Sequence, residues 1–161
     1  MFLIKCLRVL TLSLTLAVAG IGAAAVVSTA AHADTKPAIF AERGIAVGGY
    51  DLTSYFTGAG TPVKGVPQFA ATHQGATYHF ANAANRDAFR ASPARYLPQY
   101  GGYCAWAVSQ GYTAPGRPQH YKVVNGKLYL NFNGSIQNKW ARDIPGHISS
   151  ANNNWPKALT K

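Results

Sequence analysis

The chain has 161 residues, with 15 Lys and Arg against 5 Asp and Glu, and a formal net charge of +10. Its single glutamate (Glu42) and scattered aspartates argue against paired-carboxylate hydrolysis. Two cysteines argue against a disulfide framework, and basic residues without any basic run argue against nucleic-acid binding.

Residues 1–33 read as a secretory signal: Lys5 and Arg8, an apolar run from Val9 to about Ala31, then the small-x-small site Ala31-His32-Ala33. The protein is therefore expected in the periplasm or secreted. Membrane attachment is expected only through an uncleaved signal, because the apolar run is long enough to span a bilayer. Cleavage leaves about 128 residues, enough for one domain with a core, and Cys104 as its lone cysteine.

Residues 34–43 read as a linker and 44–161 as the domain. Asp51 is placed to cap a brief helix through Phe56. The stretch Thr57 to Pro67, rich in Gly and Pro, reads as a loop. Gln74-Gly75 then joins two alternating strands, and a two-residue turn sets Thr72 opposite Thr77 and Ala71 opposite Tyr78. Phe69, Ala71, Tyr78 and Phe80 fall on the core face. Asn125-Gly126 marks a second hairpin between His120–Val124 and Lys127–Phe132. There Tyr121, Val123, Leu128, Leu130 and Phe132 point inward, Lys122, Lys127 and Tyr129 outward, and His120 opposes Asn131.

Helices fill the rest. Asn82 caps a segment through Ala91, and Pro93 opens a short turn holding Tyr96. Tyr103 to Gln110 reads as a helix entered from Gly101-Gly102. Asn133 or Ser135 begins another that Pro145 ends, and Ile148 to Trp155 has three consecutive asparagines suited to an irregular end. The fold class is α+β: a small antiparallel sheet of two hairpins with short helices packed on one face.

The run Tyr78-His79-Phe80-Ala81-Asn82, continuing through Phe89 to Ser92-Pro93-Ala94-Arg95-Tyr96, resembles the YHS domain. The flanking blocks Val47-Gly48-Gly49-Tyr50-Asp51, Gly101-Gly102-Tyr103-Cys104, Asp143-Ile144-Pro145-Gly146 and Asn154-Trp155-Pro156 resemble exported bacterial YHS domain-containing (seleno)proteins. This resemblance implies metal binding, often of copper, through cysteines flanking the aromatic strand and helix. Here Ala81 and Asn85 stand where such cysteines are placed. The seleno-variants imply that a cysteine-type position matters chemically, and only Cys104 matches one.

A thiol in the first turn of a helix starting near Tyr103 is favoured as thiolate by unpaired N–H groups. The same thiol beside Ala105, Trp106, Ala107 and Val108 also suits a buried core position. Among its candidate partners, His73 falls on the core-side face at its hairpin turn, and His147 follows Pro145-Gly146 in a loop. His79 and His120 face outward. Tyr100 and Tyr103 are the expected ligand-facing hydroxyls. Ser109 reads as an ordinary helix residue. The expected function is an exported binding module for copper or another soft metal ion, with Cys104, His73 and His147 as donors. Two alternatives stand beside it: a single-thiol redox protein using Cys104, and an interaction domain with no small ligand. The expected partner is a metal ion, and the expected state a monomer or weak oligomer.

Overall fold

A computed structural model describes residues 35–57 and 61–161. The expected signal lies outside the described residues. Strands β1 (Ala41–Glu42) and β2 (Ile45–Ala46) precede β3 (Val66–His73) and β4 (Ala76–Phe80). They form one sheet in the order β1-β2-β4-β3, in which β2 runs parallel to β4. Strands β5 (Arg117–Val124) and β6 (Lys127–Asn131) form a separate two-stranded sheet. The fold is α+β.

Both hairpin turns hold left-handed backbone, at Gln74 and Gly75 (φ 49° and 78°) and at Asn125 and Gly126 (φ 50° and 72°). That twist matches the flanking strands. The first hairpin pairs Thr72 with Thr77 and Ala71 with Tyr78, as its turn dictates. In the second, Tyr121 opposes Leu130, but the register then shifts and Asn131 lies opposite Arg117, not His120. A bulge inserts residues on one strand only, so turn geometry cannot set the pairing beyond it.

Five helices follow the same local logic. Helix α1 (Ala83–Ala91) is capped by Asn82, and α2 (Pro93–Tyr96) is opened by Pro93. Helix α3 (Ala105–Ser109) is shorter than expected, while α4 (Gly134–Ala141) is capped by Asn133. Pro145 does not end a helix. It stands in the first turn of α5 (Ile144–Asn154), where its missing N–H would have had no intrahelical partner. The three asparagines are helical because two bond elsewhere: Asn152 accepts from the Tyr100 hydroxyl, and Asn154 donates to the last carbonyls of α3.

Two apolar clusters form the core. Leu52, Tyr55, Tyr78, Phe80, Phe89, Leu128 and Leu130 belong to the first. Tyr100, Tyr103, Val108, Tyr129, Trp140 and Ala151 belong to the second. Strand β6 supplies both, since alternate side chains leave opposite faces of a strand. Tyr129, expected to face outward, is therefore buried against Trp140 with ring centroids 5.5 Å apart. Phe132, expected inward, lies beyond the end of β6 and is 42% exposed.

Residues 36–40, expected as linker, are docked on this body. Lys36 N–H donates to Leu159 O, Phe40 N–H to Gly101 O, and the Tyr103 hydroxyl to Pro37 O, each at 2.9 Å. Gly101 is required at that crossing. Its φ is 62°, and a Cβ there would sit 1.8 Å from the Ala38 carbonyl oxygen.

Candidate functional site

Cys104 is delivered by a tight turn, Gln99–Gly102, in which Tyr100, Gly101 and Gly102 all take positive φ. The chain then runs beside β6, with Pro98 bridging Leu128 and Cys104 bridging Leu130. Cys104 N–H donates to Ala114 O at 2.9 Å, and its carbonyl accepts from Val108 N–H at 3.0 Å. It is thus the N-cap residue of α3, one position before the first turn.

Cys104 is 1% exposed and counts among the buried core residues. Its near polar neighbour is Asn131, itself 0% exposed, at the end of β6. The thiol donates to Asn131 Oδ1 at 3.6 Å, and Trp106 N–H donates to the same oxygen at 3.2 Å. Asn131 Nδ2 has no hydrogen-bond partner among the described residues. Burial pushes the Cys104 thiol above its ordinary range, and the backbone N–H groups of Ala107, Phe132 and Trp106 partly oppose that shift. Desolvation wins because an anionic sulfur loses water here faster than these donors replace it.

The other candidates lie elsewhere. His73 ends β3 with its ring edge-on to Phe89, centroids 5.9 Å apart. His147, in α5, is 3.1 Å from Ser109 Oγ through Nδ1. Ser109 is not poised as a nucleophile, because its hydroxyl donates to Trp106 O at 2.6 Å. Tyr103 is held by Pro37 and packs on Phe40, centroids 5.4 Å apart, while Tyr100 is held by Asn152 at 2.9 Å. Both hydroxyls are committed within the fold. Tyr103 borders a groove of about 320 Å³ shared with Lys36, Ile39, Phe40 and Pro115.

Cys104, His73 and His147, the expected metal donors, do not form one ligand group. Among the described residues no three of His, Cys, Asp and Glu come together as a ligand group. Ala81 and Asn85 both serve a carboxylate. Ala81 N–H and Asn85 Nδ2 both donate to Asp51 Oδ2, at 2.9 and 2.7 Å.

Asn131 is the residue that sequence reasoning passed over. Its signal was visible in Leu128-Tyr129-Leu130-Asn131-Phe132, an amide set in an otherwise apolar strand run. A polar side chain there must find partners if buried. Searches of protein-family models, curated proteins and solved structures return no match for the chain.

Proposed function

We propose that the protein is an exported single-thiol redox protein whose reacting group is Cys104. The observation that carries this reading is the buried Asn131 amide hydrogen-bonded to the thiol. Cys104 is buried with the core, yet its sulfur also meets the Asn131 amide, whose Oδ1 accepts from the thiol at 3.6 Å and from Trp106 N–H at 3.2 Å. The backbone N–H groups of Ala107, Phe132 and Trp106 oppose in part the rise that burial imposes on the thiol. The signal-like residues 1–33 and the resemblance to proteins with seleno-variants support the same reading. A thiol this enclosed reacts only with small reagents, or when the site opens.

Alkylation tests it. Iodoacetamide is expected to label native Cys104 slowly near neutral pH. The rate should keep rising above the ordinary thiol range, because the folded thiol gives up its proton later than a free one. A Cys104→Ala chain sets the background. Labelling that occurs only after denaturation would overturn the proposal. The metal reading is decided beside it: loss of stoichiometric Cu(I) uptake in Cys104→Ala would put metal binding ahead, and equal uptake would remove it.

A further inference from the structure

We propose that the turn Val47–Gly49 and the cleft beside it form a binding site for a small oxyanion, held by Arg43, Lys64 and His79. The site involves none of the groups around Cys104. Its backbone is the first observation. Arg43, Gly44, Val47, Gly48 and Gly49 all take left-handed conformations, with φ of 53°, 80°, 50°, 55° and 73°. Val47 is the costly one, because a β-branched residue rarely adopts positive φ. Its surroundings hold it there. The residue is 4% exposed, Tyr50 N–H donates to Val47 O at 3.0 Å, and Gly65 N–H donates to Gly49 O at 2.9 Å. Strain fixed in this way gathers at ligand clamps and active sites.

The side chains around the turn are the second. A cleft of about 490 Å³ is lined by Glu42, Arg43, Ile45 and Gly48. Lys64 is brought to the turn by its bridge to Tyr50; its ammonium lies 4.7 Å from the Tyr50 ring centroid and donates to Gly48 O. His79 stands over the next glycine. A Cβ at Gly49 would sit 3.2 Å from His79 Nδ1 and 3.7 Å from Lys64 Nζ, so imidazole and ammonium flank a residue with no side chain to separate them. Glu42 is a carboxylate on the cleft, but Arg117 Nη1 already engages it at 2.9 Å. Neither the Arg43 guanidinium nor the His79 ring has a hydrogen-bond or ion-pair partner among the described residues. An anion with several oxygens matches this set: Arg43 offers a planar fork, Lys64 a point charge with donors to spare, and His79 a ring N–H. A cleft of this volume takes a small molecule, so the ligand class is a metabolite-sized compound bearing carboxylate or phosphate groups.

The test is a titration of the isotope-labelled full chain with inorganic phosphate and, separately, with citrate, read by amide chemical shifts. It is run at about 0.15 M ionic strength, where loose attraction to surface charge is screened. Saturable shifts are expected at Arg43, Gly44, Gly48, Gly49, Lys64 and His79. Arg43→Gln and Lys64→Gln, both at exposed positions, should each weaken binding by roughly tenfold, the scale of one charge-assisted hydrogen bond. Lys127→Gln removes the same charge at the turn of the second hairpin and should leave affinity unchanged, as should Cys104→Ala. Tighter binding of phosphate than of citrate assigns a phosphorylated ligand, and the reverse order a carboxylate. No saturable response to either anion, shifts spread over the other basic residues, or an equal loss in Lys127→Gln overturns the site. Each of those results leaves the thiol reading where alkylation puts it.

Discussion

Asp51 is fully buried, and four donors reach its carboxylate: Thr53 N–H and Oγ1 on Oδ1, Ala81 N–H and Asn85 Nδ2 on Oδ2. Asp51→Ala leaves those donors unpaired, and we expect a loss of about 2–4 kcal/mol in a urea titration. Asp51→Asn should rescue little of it, because its new NH₂ would face two donors where Oδ2 now accepts. Recovery of full stability by Asn would show that the Oδ2 side matters little. The capping half of this arrangement is legible in the sequence, since Asp51 precedes the turn it caps. The other half spans 30 and 34 residues and is set only when β4 and α1 pack over that turn. Asn131 was missed for the same reason. Nothing within its own strand says that Cys104 and Trp106 will come to lie beside it.

At the scale of elements, α3 has five residues and cannot hold itself helical in water. Its ends are tied by side chains from other elements, Asn131 at the start and Asn154 at the finish. Asn154 Nδ2 donates to Val108 O at 3.0 Å and Ser109 O at 3.1 Å at the helix end, where Val108 O also accepts from Gly111 N–H at 2.9 Å. Asn154→Ala should cost about 1–2 kcal/mol and speed amide exchange in 105–111, with little change in α1. Uniform exchange across both helices would mean that α3 draws its stability elsewhere. The hairpins show what short-range chemistry fixes. Gln74-Gly75 and Asn125-Gly126 determine the pairing near each turn, and the first hairpin follows it to Thr72 and Ala71. The second departs where its bulge begins, beyond the reach of the turn. Pro145 could serve equally as a stop or as a first-turn residue, and only the Asp143 side chain bonded to Gly146 N–H decides between them.

At the scale of the molecule, the placement of Tyr129 changes the reading of the second hairpin. Alternation of large apolar residues with polar ones suggested one wet face, but tyrosine satisfies either surroundings. The neighbours that decide, Trp140 and Tyr100, come from separate parts of the chain. Since β6 gives Leu128 and Leu130 to one cluster and Tyr129 to the other, we expect the two clusters to unfold together. The three tryptophans make this measurable, because Trp106, Trp140 and Trp155 all belong to the second cluster or pack on it. Tryptophan emission thus watches one half, whereas far-ultraviolet dichroism watches the entire backbone. Their denaturant midpoints should coincide; two separated curves would mean that the halves come apart in sequence. A shared strand of five residues would then be what makes the fold all-or-none.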